Sequence, residues 1–206
     1  MITLFTANTP NGQRAAVALE EFGLPYRLNK VDIFAGGAKT PEFLKINPNA
    51  RIPVIIDPEG PDGRPITVPQ SWAILLYLAE KTGTFIPADK RKRLEVMTWL
   101  FHVAADVMMV HSTLNALGTQ MPEKTPPAII GEYEGRVVDA LRNLDRRFSE
   151  SAYLIDEPSI ADFGLYPIFN RRRTLLDKHP ELVHLARWGR QMDARPGCRR
   201  GVEATQ

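Results

Sequence analysis

The sequence predicts a two-part fold, in which an α/β module is followed by an all-helical module. Short β-branched runs alternate with helical patterns through residue 82, whereas strand patterns are absent after residue 88. The chain has 206 residues, 44% of them hydrophobic, so it can bury a full core as one domain or as two smaller ones. The change in pattern favours an α/β domain over residues 1–82, a linker over residues 83–88 and an all-helical domain over residues 89–206.

The first module has the predicted order βαβαββα. Residues 2–5 form a short apolar run, and the next apolar residues recur with helical spacing up to Gly23, which is typical of a helix end. The further elements are a strand over residues 26–32, a short helix opened by Thr40-Pro41, a hairpin from residues 52–57 and 65–68, and a helix over residues 71–81. This mixture of elements is typical of a compact α/β unit.

Helical spacing dominates the second module. Long helices are predicted over residues 89–117 and 129–148, with a proline-rich break between them, and a last amphipathic helix over residues 182–192 that ends near Pro196-Gly197. Ser159 and Asp162 have the spacing of a capping box at another helix start. We therefore interpret Asp162 as a structural residue, not a catalytic one.

Charge and cysteine content exclude several classes of protein. A formal net charge of +2 is too small for the clustered basic face of a nucleic-acid-binding protein. No apolar run approaches the ~18 residues that a membrane span requires, and the single cysteine, Cys198, cannot form an intramolecular disulfide. We therefore expect a cytoplasmic protein in which Cys198 lies at the surface without a function. His102 and His111 fall on different helix faces, so no metal site is expected.

The candidate site is the segment Thr9-Pro10-Asn11-Gly12, which connects the first strand to the first helix. Thr9 is placed as an N-cap, and Pro10 follows it at the first helical position. Backbone N–H groups and the positive end of the helix dipole face outward at such a place and can hold a phosphate, a carboxylate or a thiolate. The same residues also fit a helix cap that has no further function.

Four motifs in this order resemble the glutathione transferase superfamily. They are Asn8-Thr9-Pro10-Asn11-Gly12, Ile52-Pro53, Gln70-Ser71 and Ser159-Ile160-Ala161-Asp162. The first of them, with residues 41–44, 47–49 and 75–83, is most similar to the bacterial Nu-class enzymes, which are glutathione-dependent disulfide-bond reductases. The resemblance covers nearly the whole chain. It implies the glutathione transferase fold, with a thioredoxin-like N-terminal domain and an all-α C-terminal domain, and a homodimer.

The resemblance also implies a role for residues near the glutathione sulfur. The Thr9 hydroxyl and the Asn11 side chain lie beside that sulfur in the family, and no Tyr, Ser or Cys occupies the helix tip here. Bound glutathione therefore has to supply the thiolate. Pro53 is expected to be cis, so that Ile52 pairs with the cysteinyl backbone of glutathione.

The remaining contacts implied by the resemblance hold the two ends of glutathione. Gln70 and Ser71 are expected at the γ-glutamyl group, where a helix N-terminus suits its carboxylate. Lys39 and Arg51 are expected at the glycyl carboxylate, although a solvated surface position fits each of them equally well.

The chain departs from the Nu-class pattern at three positions. Gln70 replaces an acidic residue, Ala38 replaces a glutamine, and Glu132 replaces an arginine expected to reach the ligand. With Gln70, binding is expected to survive without the ion pair to the ammonium group. Glu132 removes a cationic partner of a second glutathione, which puts binding of glutathione disulfide in doubt more than binding of one glutathione. The expected function is a glutathione-dependent disulfide reductase or a transferase acting on a small electrophile. A weakly catalytic, glutathione-binding regulatory protein and a glutathione-dependent isomerase or lyase are the alternatives.

Overall fold

The computed structural model describes residues 1–206, and strands occur only in its first part. That part contains β1 (Ile2–Thr6), α1 (Pro10–Glu21), β2 (Tyr26–Lys30), α2 (Pro41–Ile46), β3 (Val54–Asp57), β4 (Ile66–Pro69) and α3 (Ser71–Thr82). The rest contains α4 (Lys90–His102), α5 (Met108–Asn115), α6 (Pro127–Glu150), α7 (Ile160–Arg171), α8 (Arg173–Leu176), α9 (Val183–Ala194) and α10 (Pro196–Thr205). The order βαβαββα followed by helices confirms the expected fold class.

The sheet is mixed, with strand order β2-β1-β3-β4. β1 runs parallel to β2 and antiparallel to β3, and β3 and β4 form the expected antiparallel hairpin. Leu4 of β1 lies opposite Ile55 of β3, and both side chains are completely buried. Each of these apolar side chains contributes roughly 1.5–3 kcal/mol by its burial.

A buried carboxylate joins the hairpin to α3. Tyr77 donates a hydrogen bond to Oδ2 of Asp57 at 2.6 Å, and Lys81 places Nζ 3.0 Å from the same oxygen. Burial raises the pKa of Asp57, but hydrogen bonds from Tyr77, the Glu59 N–H and Lys81 outweigh it, so the pKa lies below its ordinary value. The charged form of Asp57 therefore stabilises the fold.

The first compact unit comprises Met1–Pro87 together with Met192–Gln206, and the second comprises Ala88–Gln191. This division differs from the expected boundary, which placed all of residues 89–206 in the helical domain. Helix α10 belongs to the first unit because Gly201 allows close contact with α1: a Cβ at Gly201 would lie 2.4 Å from Cα of Val17. Because Pro196-Gly197 was expected to end a helix, α10 was not predicted from the sequence. Pro196 is instead the first residue of α10.

Cys198 is buried in α10, so the expectation of a surface position is wrong. Its backbone N–H donates to Oε1 of Glu21 at 2.9 Å, and the Arg195 guanidinium binds Oε2 of the same carboxylate. Burial, with the nearby Glu21 charge, raises the pKa of the Cys198 thiol. Since the thiolate is the reactive form, Cys198 is a poor nucleophile.

The second unit contains the predicted long helices. The segment predicted at residues 89–117 begins with Asp89 as N-cap and consists of α4, a π-helical turn (Val103–Val107), α5 and a second π-helical turn (Ala116–Gln120). On α6, buried residues follow the predicted spacing of three and four at Val137, Leu141, Leu144 and Phe148, and Val138 is buried as well. Ile129, where the predicted apolar series begins, is instead 44% exposed. No helix combines the length and the apolar character needed to cross a bilayer.

Asp162 has the structural role expected of it. Its carboxylate accepts hydrogen bonds from the Ser159 N–H at 3.0 Å and the Ser159 hydroxyl at 2.9 Å, completing a capping box at the start of α7. It also accepts from the Leu154 N–H at 3.0 Å and from Nε1 of Trp188 at 2.9 Å. Burial raises the pKa of Asp162 even though these hydrogen bonds oppose the shift.

Candidate functional site

The tip of α1 is a capped helix N-terminus, as expected. Thr9 is extended (φ −137°, ψ 158°), and its Oγ1 accepts the Gly12 N–H at 3.1 Å. The hydroxyl oxygen is used by the cap, so the hydroxyl hydrogen can be donated to a ligand. Only glycine fits at position 12, because a Cβ there would lie 2.1 Å from the Ala7 carbonyl oxygen.

A buried arginine connects the tip of α1 to the start of α3. Nη1 of Arg14 donates to Oδ1 of Asn11 at 2.6 Å and to Oγ of Ser71 at 2.8 Å. The ring of Trp72 covers the guanidinium, with its centroid 3.8 Å from Cζ. Burial lowers the pKa of Arg14 to about 9, which keeps it positively charged at neutral pH. Asn11 and Ser71, 60 residues apart in the sequence, are thus held by one nitrogen atom.

The sequence interpretation missed Arg14. Its local signal is a basic residue directly before the apolar stretch from Ala15 to Leu19, three residues and about one helical turn after Asn11. A buried charge among apolar neighbours is expected to have a specific partner, but the sequence alone does not show that the partner is Ser71.

The start of α3 has an unusual backbone conformation. Gln70 has φ +74° and ψ 117°, a strained combination for a residue with a side chain, and its side chain makes no capping hydrogen bond. Such strain is commonly found at ligand-binding positions. Ser71 is 3% exposed and begins the helix, so its hydroxyl lies at the positive end of the α3 dipole.

The loop before β3 contains the other expected residues. The Ile52–Pro53 peptide bond is cis, as expected. Asn47 donates through Nδ2 to the Arg51 carbonyl at 2.7 Å, which fixes the backbone just before Ile52. The side chains of Arg51 and Lys39 are exposed and charged, and no contact in the structure joins them to Thr9, Asn11, Gln70 or Ser71.

Ala38 and Glu132 are occupied by contacts of their own. Ala38 is 6% exposed and packs with Phe43 and Val54 in a small apolar cluster. In the second unit, the Glu132 carboxylate accepts from Nη2 of Arg136 one helical turn later, at 2.7 Å. Neither residue supplies the polar or positive group that the family pattern has at its position.

His102 and His111, both in the second unit, have different hydrogen-bond partners. Nδ1 of His102 lies 2.7 Å from Oδ2 of Asp106, whereas Nδ1 of His111 accepts from Nε of Arg172 at 3.1 Å. The structure contains no group of three or more His, Cys, Asp or Glu side chains arranged to hold a metal ion.

Donors therefore dominate the site at the ends of α1 and α3. The Thr9 and Ser71 hydroxyl hydrogens, the Asn11 amide N–H groups and the helix N-termini can all interact favourably with anions, and the charge of Arg14 lies beneath them. Residues 8–12 include no Cys, Ser or Tyr. The arrangement can bind and stabilise an anionic group but contains no thiol of its own.

Comparisons with known proteins agree with this arrangement. Residues 9–81 match the family described as "Glutathione S-transferase, N-terminal domain". Together with an alignment along nearly the full length of a bacterial relative, this match shows that the chain belongs to the glutathione transferase family. That relative is the disulfide-bond oxidoreductase YfcG of Escherichia coli, which is 37% identical over 201 residues, an alignment that covers 95% of this chain and 92% of YfcG.

Solved structures of glutathione transferases confirm the fold. One from Pseudomonas putida, with one glutathione disulfide bound per subunit, is 27% identical and superposes with a TM-score of 0.91, covering 100% of this chain and 92% of that chain. Another, from Burkholderia graminis, has two glutathione molecules per subunit. It is 32% identical with a TM-score of 0.91, covering 100% of this chain and 88% of that chain.

Proposed function

We propose that the protein is a glutathione-dependent disulfide-bond reductase or glutathione transferase of the Nu class, in which bound glutathione supplies the reactive thiolate. The observation that carries this proposal is the tip of α1. There, Thr9 and Asn11 provide hydrogen-bond donors and the polypeptide provides no thiol. Membership of the glutathione transferase family supports glutathione as the source of the thiolate.

The donors at the α1 tip are sufficient to ionise a thiol. A free thiol has a pKa of about 8.5, and each unit of decrease requires about 1.4 kcal/mol of preference for the anion. A helix N-terminus supplies roughly 0.3–1 kcal/mol, and a hydrogen bond to a charged group roughly 1.5–3 kcal/mol. One such bond, from Thr9 or Asn11, together with the dipole brings the thiol close to half ionised at neutral pH.

The rest of glutathione fits the remaining expected residues. The Ser71 hydroxyl and the N-terminus of α3 bind the γ-glutamyl carboxylate, and Gln70 reaches the α-amino group. Ile52 pairs with the cysteinyl backbone beside Pro53, and the exposed cations Lys39 and Arg51 attract the glycyl carboxylate.

The bound thiolate reduces a disulfide in two exchanges. It attacks one sulfur of the substrate disulfide, which forms a mixed disulfide with glutathione and releases the other sulfur as a thiolate. A second glutathione thiolate then attacks the glutathione sulfur of the mixed disulfide, giving glutathione disulfide and the second substrate thiolate. With an aryl halide, the same thiolate instead forms a bond to the ring carbon, and the carbon–halogen bond breaks to release a halide ion.

Calorimetry with glutathione, combined with turnover of hydroxyethyl disulfide and an aryl halide, tests this function. We expect binding together with turnover, and a turnover at least about 10-fold lower for Asn11→Ala because ionisation and orientation of the thiol are both lost. Absence of glutathione binding would overturn the proposal, and unchanged kinetics would remove Asn11 from the mechanism.

A weakly catalytic regulatory protein is the second candidate function. Ala38 and Glu132 favour it, because neither provides the ligand contact that the family pattern has at its position. Tight glutathione binding with negligible turnover would support this candidate over the enzyme. Activity that requires glutathione without consuming it would instead identify an isomerase or lyase.

We also propose that the protein is cytoplasmic and forms a homodimer. The dimer is supported by an apolar stripe of exposed side chains on α4 and α5. Its members are Leu94 (67% exposed), Phe101 (61%) and Met109 (66%). Leu94 and Phe101 are seven residues apart and therefore share one side of α4. Analytical ultracentrifugation should give twice the chain mass of 23.1 kDa, and a shift of Phe101→Glu to the monomer mass would place the contact on this stripe.

A further inference from the structure

Arg14 is the least expected residue in the first unit. Its side chain is completely buried in α1, where its neighbours Ala15 to Leu19 are apolar and also completely buried. Burying a guanidinium costs several kcal/mol unless its N–H groups are paired, and an apolar side chain packs in such a place without that cost. The role of the buried charge therefore has to be inferred from the hydrogen bonds that Arg14 donates.

The hydrogen bond to Asn11 fixes the orientation of the Asn11 amide. A guanidinium can only donate hydrogen bonds, so Asn11 has to turn its oxygen toward Arg14, as the 2.6 Å distance between Nη1 and Oδ1 shows. The amide nitrogen, with its two hydrogens, then faces away from Arg14. Without an obligate donor at this place, either end of the amide is free to face outward, and the oxygen repels an anion.

The hydrogen bond to Ser71 has the same effect on a hydroxyl. Oγ of Ser71 accepts from Nη1 of Arg14 at 2.8 Å, which leaves the single hydroxyl hydrogen for another acceptor. The Trp72 ring, 3.8 Å from the guanidinium carbon, excludes water from that face and limits its movement. One cation thus sets the direction of two polar side chains on different helices.

We propose that Arg14 is a positioning residue that makes Asn11 and Ser71 hydrogen-bond donors toward glutathione, Asn11 toward its sulfur and Ser71 toward its γ-glutamyl carboxylate. This inference rests on the proposed function, because the two donors need glutathione as their acceptor. It adds to that function a residue that contacts neither the sulfur nor the carboxylate, and it explains why a charge is buried in α1.

A double-mutant cycle tests the role of Arg14. The pKa of the bound glutathione thiol is measured from the ultraviolet absorbance of its thiolate, and the Kd for glutathione is measured by calorimetry. We expect Arg14→Met to raise the thiol pKa by about one unit and the Kd about 10-fold. The pKa effect should disappear in the Asn11→Ala background, and the Kd effect should shrink in the Ser71→Ala background.

Two further variants serve as controls for Arg14→Met. Arg27→Met removes an exposed arginine from β2 in the same unit and should leave both quantities unchanged. Arg14→Lys retains an obligate donor and should restore most of the lost ionisation. If the full pKa effect of Arg14→Met persists without Asn11, Arg14 acts through its charge alone and the inference is wrong.

A measurement on the unmodified protein covers the case in which Arg14→Met does not fold. The side-chain amide of Asn11 should be rigid by ¹⁵N relaxation in the absence of glutathione, in contrast to Asn29, which is exposed on β2. Equal mobility of the two amides would overturn the role of Arg14. Failure of the wild type to bind glutathione would overturn the proposed function instead, which separates the two results.

Discussion

The replacement Thr9→Val tests the two tasks of the Thr9 hydroxyl together. Its oxygen caps α1 by accepting the Gly12 N–H at 3.1 Å, and its hydrogen is proposed to bind the glutathione sulfur. Valine has nearly the same shape and removes both interactions. We expect a loss of about 0.5–2 kcal/mol of stability from the missing cap. We also expect a separate effect on the bound thiol.

The size of that second effect follows from the hydrogen bond that is removed. A hydrogen bond to an anion contributes roughly 1.5–3 kcal/mol, which corresponds to a rise of about 1–2 units in the thiol pKa. If the bound thiol is half ionised at pH 7, its ionised fraction there falls about 5- to 50-fold. Turnover should fall less than this, because a more basic thiolate is also a stronger nucleophile.

A matched control is present in the same unit. Thr40 caps α2 by accepting the Phe43 N–H at 3.3 Å and is also followed by a proline, so Thr40→Val removes a cap of the same kind. Thermal unfolding of both variants and the absorbance of bound thiolate across a pH series are measured together. Both variants should lose stability, and only Thr9→Val should raise the thiol pKa. Equal thiol pKa values in the two variants would refute the role of Thr9.

Three further replacements test the fold around the site by chemical denaturation. Asp57→Asn should cost about 1–2 kcal/mol at pH 7. The difference in unfolding free energy between wild type and Asp57→Asn should disappear as the pH falls below about 4 and Asp57 becomes protonated. The pKa of Asp57 is lowered in the folded state because the surrounding contacts favour the charged carboxylate, so only that form stabilises the fold. Asp162→Ala should cost about 3 kcal/mol or more, since four hydrogen bonds lose their acceptor. Gly201→Ala should lower the free energy of unfolding by about 1–3 kcal/mol, because the new Cβ clashes with the Val17 backbone. If this variant is as stable as the wild type, α10 can shift to accommodate the methyl group.

Local patterns were sufficient for most of the elements and for several site residues. Thr9, Thr40 and Ser159 were predicted as caps because the N-cap hydrogen bond joins residues only two or three apart. The cis bond before Pro53 was expected only from the resemblance to a family. The strand order was not predicted, since short strands carry little information about their partners.

Features that depend on distant residues were not predicted. The role of Arg14 requires Ser71, 57 residues away in the chain, and the sequence does not show which residues meet. Helix α10 was missed because Pro196-Gly197 reads as an end, although a proline also fits the first turn of a helix. Its contact with α1 requires glycine at position 201, a reason that appears only once both helices are in place.

The central claim is that glutathione places its sulfur at the tip of α1. A crystal structure of the protein with bound glutathione tests it most directly. We expect the sulfur within hydrogen-bonding distance of Oγ1 of Thr9 and Nδ2 of Asn11, with the γ-glutamyl carboxylate at Oγ of Ser71. A complex in which the sulfur lies away from residues 9–12 would contradict the claim, even if glutathione binds tightly.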